Sequence, residues 1–296
     1  MAMTPIHIMS LRHSAFYSPL LICINGGFLT AEGLEPHYAV QTPEHTVVDS
    51  IRDGETHLAQ SAVATSFAAL ERDEAVDIVH FAQINERDGF FLAGREPDPA
   101  FRWDKLRGKT VLVDHFFQPH AMLVYALHRQ GMALSDIKAI DAGDVTAMDQ
   151  AFRNGEGDYV HQQGPAPQQM EADGVASVVA SVGEVIGPVA FSSLCASRAW
   201  LKTDMARAFM RAYARARQYC IDAPAAELTQ QLQSFFPAIE PQVLSETIAT
   251  YQQLGCWTPS VAISQQAYDT LLDVFLHSGL ISRRHPYDAA VVAPPA

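Results

Sequence analysis

Several short stretches of the chain concentrate side chains that could hold or transform a small molecule. Arg12, His13, Ser14, Phe16 and Tyr17 follow the first apolar run, Gln60, Ser61 and Thr65 close another, and Gln83, Asn85 and Arg87 a third. Further on come Asp114, His115, Phe116, Phe117, Gln118 and His120, then Tyr159, His161, Gln162 and Gln163. These residue types define a chemistry. Amides pair with a donor–acceptor edge through two atoms at once, aromatic rings stack on flat solutes, and imidazole and carboxylate groups move protons. A flat heterocycle or aromatic acid suits the set better than a simple oxyanion, because an ionised Asp114 repels a sulfonate or a nitrate.

Nucleophilic and metal chemistry match less well. His13 and Ser14 are neighbours in the chain, so they do not face each other as base and nucleophile must, and no acid partner is evident. His115 and His120 stand five apart across a turn beside Asp114, a spacing that fits no closed zinc site. No metal and no cofactor are expected. Each residue also has a plainer role: Ser14 and Ser61 as helix caps, Phe116 and Phe117 as core with about one of them facing a cleft, Arg87 beside Asp88 as an exposed ion pair. Against that, His13, His115, His120 and His161 are four of only twelve histidines, and all fall in these turns.

The elements that must position these residues alternate. IHIMSL, LEPHYAV, THLAQSA, DIVHFAQI and GFFLAGRE read as strands, separated by helical patterns such as SPLLICIN, ended by Gly26 and Gly27, and TVVDSIRD, ended by Gly54. Alternation of this kind is the signature of an α/β fold with largely parallel sheets. At 96–110, EPDPAFRWDKLRGKT brings two prolines and mixed charge and reads as a crossover between lobes. TVLVD, HAMLVYALHRQG, IKAID, TAMDQAFRNG, DYVHQ and APQQMEADG then repeat the earlier order. The repetition extends to wording: RDGETHLAQSAVA at 52–64 and RNGEGDYVHQQGPA at 153–166 both read as a helix stopped at glycine and a short strand running into a polar turn. After VASVV and GPVAFSSLCASRAWL the chain is helical, and the arginines and glutamines of that tail read as a solvated face.

Composition excludes several classes. A chain of 296 residues with 48% hydrophobic side chains buries a real core as one large domain or two lobes. A formal charge of -13 without acidic runs argues against nucleic acid or an anionic membrane surface as partner. No apolar run approaches the ~20 residues of a membrane span, so no direct membrane insertion is expected. Cys23, Cys195, Cys220 and Cys256 are far apart and read as small buried hydrophobes.

Three segments carry a family resemblance. YSPLLICINGGFLTAEGLE, DSIRDGETHLAQSAVA and DKLRGKTVLVD resemble, in order and spacing, segments of type II periplasmic binding proteins of the nitrate, sulfonate and thiamine-pyrimidine-precursor group, which serve ABC transporters. The resemblance covers about the first two-thirds of the chain. It implies an α/β, two-lobed type II periplasmic-binding-protein fold with discontinuous lobes, 1–94 plus 190–296 and 95–189, a helical C-terminal tail, and a ligand cleft between them. A ligand in such sheets lies beyond the carboxyl ends of the strands. That rule selects His13, Ser14, Tyr17, Gln60, Ser61, Asn85, Asp114, His115, Phe116, Tyr159, His161 and Gln163 as the ligand-binding set.

Two functions follow as expectations. One is a solute-binding protein of an ABC-type importer that captures a small heterocyclic or aromatic compound and has the importer's membrane permease as partner. The other is a cytosolic enzyme on the same fold, a decarboxylase or desulfinase-like lyase or hydrolase acting on a small aromatic acid. The fungal thiamine-pyrimidine synthase, similar in the first lobe, needs a lysine and a histidine where this chain has Ser61 and Thr65, and the desulfinase cysteine falls at Ser14. Both departures count against those activities. The opening MAMTPIHIMS shows no leader pattern: the protein is expected in the periplasm if a leader was removed, in the cytoplasm if Met1 is the native start.

Overall fold

The computed structural model describes residues 3–296. Its strands are β1 (Thr4–Ser10), β2 (Leu34–Val40), β3 (Leu58–Ser61), β4 (Ile78–Asn85), β5 (Phe90–Gly94), β6 (Thr110–Val113), β7 (Lys138–Ile140), β8 (Tyr159–Gln163), β9 (Ser177–Ser181) and β10 (Ser192–Ser197). The helices are α1 (Ser18–Asn25), α2 (Val47–Arg52), α3 (Phe67–Glu71), α4 (Phe117–Arg129), α5 (Val145–Arg153), α6 (Ala166–Ala172), α7 (Val182–Ile186), α8 (Asp204–Asp222), α9 (Ala225–Leu232), α10 (Pro241–Gln253), α11 (Gln265–His277) and α12 (Tyr287–Ala290).

Two five-stranded sheets share one design, β2-β1-β3-β10-β4 and β7-β6-β8-β5-β9. In each, three strands run parallel and the fourth lies antiparallel between the third and the fifth. This is the expected α/β two-lobed architecture. Along β1, Ile6 and Ile8 are buried while His7 is exposed, the alternation of a pleated strand. Each such buried aliphatic contributes about 1.5–3 kcal/mol. Helix α5 starts where Asp144 accepts from the Ala147 N–H at 2.9 Å and turns Met148 and Phe152 into the core of the second lobe.

The repeated wording corresponds to repeated structure. Gly54 (φ +77) and Gly155 (φ +92) follow α2 and α5 in left-handed conformations, which glycine adopts without a Cβ clash. Gln60 pairs with Ser10, the last residue of β1, and His161 with Val113, the last of β6. Gln60 and His161 thus occupy equivalent positions in the two sheets.

Two expectations need correction. The sequence reading places Phe90–Gly94 in the first lobe, but β5 is bonded to β8 and β9 in the second sheet. The chain therefore changes sheets at 86–89 and returns at 182–191, and 95–109 is a loop inside the second lobe, anchored by Arg95 to the carbonyls of Phe152 and Gly157 at 2.7 and 3.0 Å. Proline and charge mark an exposed loop, while the true crossing is short and buried at Asp88. The two crossovers touch: Val189 donates to the Glu86 carbonyl at 2.9 Å, and a Cβ on Gly183 would lie 2.3 Å from the Asp88 carbonyl oxygen.

The tail is also more than a solvated appendage of the first lobe. Tyr251 of α10 donates to the Gly89 carbonyl at 3.0 Å and packs on Phe16 of the first lobe at 5.0 Å and on Phe91 of β5 at 5.8 Å. Phe275 of α11 lies between Phe67 of α3 and Phe117 of α4, at 5.2 and 5.0 Å. Both helices therefore touch both lobes. Arg217 is fully buried and donates to the carbonyls of Thr258 and Ile84 at 2.6 and 2.8 Å, tying α8 to the end of β4. All four cysteines are free and buried.

Candidate functional site

The first turn of each lobe faces the other across the cleft. After β1 ends at Ser10, Ser14 caps the turn Ala15–Tyr17, its Oγ accepting from the Phe16 N–H at 3.1 Å and donating to the Gly164 carbonyl of the other lobe at 2.9 Å. After β6 ends at Val113, Asp114 Oδ1 accepts from the Phe116 N–H at 2.9 Å while Oδ2 receives Arg12 Nη1 at 2.8 Å. The Arg12 guanidinium also lies 4.6 Å from the centre of the Phe116 ring, within cation–π range. Burial lowers the pKa of Arg12, but Asp114 and Tyr17 outweigh it and the net shift is upward.

Arg12, Asp114 and Phe116 partition the cleft. On the inner side is a cavity of about 30 Å³, room for one or two water molecules. Tyr17, Gln60, Phe191 and Ser192 line it from the first lobe, Phe90, Phe116, Gln118 and Gln163 from the second. On the outer side a groove of about 830 Å³ is lined by His13 and Gln41 on one wall and Asp114, His115, Asp141 and Asp144 on the other. Leu11, Arg12 and Phe116 border both.

The inner polar groups are unevenly satisfied. Gln60 Oε1 accepts from the Leu11 N–H at 3.0 Å and its Nε2 donates to the Ser61 carbonyl at 3.3 Å. Gln118 Nε2 donates to the Phe191 carbonyl at 3.1 Å, but its Oε1 has no partner within the protein; the Gln163 amide has only the Tyr17 hydroxyl beside it, too far or too skewed to meet hydrogen-bond geometry. Buried amide atoms without partners cost about 1–3 kcal/mol each. Tyr17 is buried beside Ser192 and Gln163, and burial raises its pKa.

Seven of the twelve expected residues line these two spaces. Tyr17, Gln60, Phe116 and Gln163 line the inner cavity, and His13, Asp114 and His115 the outer groove. Ser14 ties the lobes together. Asn85 lines neither space, since its Nδ2 donates to the Phe16 carbonyl at 2.6 Å. Ser61 faces a separate pocket with Thr65, His80 and Cys195, because adjacent residues of a strand point to opposite faces. Tyr159 borders a groove with Arg95, Asp98 and Lys109. It opens β8, roughly 13 Å along the strand from Gln163. His161 is fully buried, stacked on Phe90 at 4.7 Å, with neither ring nitrogen partnered.

Arg12, Phe90, Gln118, Phe191 and Ser192 line the cavity outside the expected set. Arg12 and Gln118 lie in turns already singled out. Phe90, Phe191 and Ser192 flank the two crossovers, where strands enter rather than end, so a rule based on carboxyl ends passes over them.

This architecture has counterparts among known proteins. Residues 15–227 match the family described as NMT1/THI5 like, and the chain belongs to that family. A Bacillus subtilis (strain 168) protein described as a binding protein, YtlA, is 27% identical over 293 residues, covering 98% of this chain and 88% of its own. The alkanesulfonate-binding protein SsuA of Xanthomonas axonopodis pv. citri, bound to MOPS, superimposes with a TM-score of 0.74 at 16% identity over 99% of both chains. The periplasmic nitrate-binding protein NrtA of Synechocystis PCC 6803 gives 0.63 at 14% identity over 99% of this chain and 92% of its own. At such identities the structural matches establish the fold: two lobes of the periplasmic binding type.

Proposed function

We propose that this protein is the solute-binding component of an ABC-type importer and captures a small heterocyclic or aromatic compound between its lobes, with the importer's permease as partner and the periplasm as its place of work. One observation carries the reading. Oε1 of Gln118 is buried without a partner, and the Gln163 amide is buried with only the Tyr17 hydroxyl beside it, at a cavity walled by Tyr17, Phe90, Phe116 and Phe191. Aromatic rings and amide groups together suit a flat solute with donor and acceptor groups. Because the cavity has room for only one or two waters as it stands, such a solute enters as the lobes move apart and is enclosed as they close. Family membership and binding-protein relatives support the class.

The test is a thermal-shift screen of pyrimidines, pyridines and aromatic carboxylates, with hits measured by calorimetry and recovered for product analysis. A stabilising compound is expected to return unchanged. Gln163→Ala is expected to weaken its binding by about tenfold, the loss of one to two amide hydrogen bonds. Chemical conversion of the hit, or equal binding by the alanine variant, would overturn the reading.

A further inference from the structure

The geometry points to Asp114 as the residue that sets charge selectivity: it occupies Arg12 so that, among heterocyclic and aromatic solutes, the cleft accepts those without net negative charge and excludes anions, the aromatic carboxylates of the screen included. The inference rests on the reading of the cleft as a solute site. Among the described residues, Arg12 is the sole lysine or arginine lining either the inner cavity or the outer groove, so an oxyanion entering the cleft has one fixed cation to pair with. That cation is already engaged by Asp114 at 2.8 Å.

Asp114 is not free to leave. Its Oδ1 holds the Phe116 N–H at 2.9 Å in the turn that starts α4, and the residue is 5% exposed. An anion bound to Arg12 would stand within a few ångströms of a buried carboxylate that its own backbone keeps in place, an arrangement of like charges that low dielectric penalises. The approach is no kinder. Asp141 and Asp144 line the outer groove with Asp114, and burial lowers the pKa of His13 despite its bond to the Phe235 carbonyl, which disfavours a positive charge there. A neutral or cationic solute meets none of these obstacles, and the Arg12–Asp114 pair stays intact beside it.

The experiment is calorimetric titration of the full chain, wild type and Asp114→Asn, with sodium ethanesulfonate, sodium nitrate and 2-aminopyrimidine. Asparagine keeps a side-chain oxygen for the Phe116 N–H, so the turn is retained, and Asp114→Ser provides a second variant whose melting confirms a folded cleft. Wild type is expected to bind neither anion below millimolar concentration. Asp114→Asn is expected to bind ethanesulfonate at least about tenfold more tightly, and Arg12→Gln added to it is expected to abolish the gain. Micromolar binding of either anion by wild type overturns the inference, whatever the variants do, as does an absence of gain in both folded variants. Aminopyrimidine reports separately on the solute class: if it and its analogues fail while Asp114→Asn gains the anion, the heterocycle reading falls and the charge filter stands.

Discussion

His161 and Asp88 are both buried beside the cleft and respond to pH in opposite senses. Burial, only partly offset by Asp114, pushes the pKa of His161 down to about 4, and burial pushes Asp88 up to about 8 against the hydrogen bond from the Phe90 N–H. An unfolded histidine titrates near 6.5, so between about 6.5 and 4 the unfolded chain binds more protons at this position than the folded one. The contribution of His161 is complete above about pH 6.5 and is lost as pH falls through about 4. For Asp88 the folded form keeps a proton that the unfolded form has released, so its contribution is complete below about pH 4 and is lost as pH rises through about 8. His161→Leu removes two unpartnered nitrogens and should be neutral or stabilising by about 1–2 kcal/mol at pH 7. Its advantage should widen between pH 7 and 4.5 in urea unfolding; a constant difference across that range would show that His161 does not titrate this way. Residue by residue, the sequence was legible where side chains sit at the carboxyl ends of strands, as with Gln60 and Gln163. It misled at Ser61 and Tyr159, because one step along a strand reverses the face and four steps leave the cleft. It was silent on the Arg12–Asp114 contact, since residues 102 positions apart meet only through the fold.

At the scale of elements, the crossovers decide what belongs to which lobe. Composition identified strands and helices well because alternation and glycine stops are local. It misplaced the lobe boundary because pairing of β5 with β8 and β9 is a long-range choice that five apolar residues, FFLAG, do not announce. The crossing itself is so close that Gly183 has no room for a side chain against Asp88. Gly183→Ala should therefore cost about 2–3 kcal/mol through displacement of backbone, with a lowered melting temperature. Equal melting of the variant and wild type would mean that the crossovers separate easily. The tail was legible as helix but not as a brace, since nothing in the apolar spacing of α10 or α11 says that Tyr251 and Phe275 reach two lobes at once.

For the whole molecule, the tail limits how the lobes can move. A hinge at 86–89 and 182–191 must carry α10 and α11 with it or slide past them, because Tyr251 holds the Gly89 carbonyl and Phe275 packs on both sides of the seam. Opening is thus coupled to repacking of aromatic rings rather than to bending of two free linkers. Strand order also bears on the history of each molecule. The second sheet is one unbroken run of sequence, β5 to β9, while the first needs β10 inserted between β3 and β4. A chain leaving the ribosome can complete its second sheet as soon as residue 181 is out, yet must hold β3 and β4 apart as a slot until residue 197 arrives. The later lobe should then be the earlier one to fold, as contiguous pairing closes shorter loops. In pulse-labelled hydrogen exchange during refolding, amides of β6 and β8 should be protected before those that β3 and β4 share with β10, and the reverse order would refute this. Synthesis order and folding order would run opposite, with the chain's first strands waiting on one of its last.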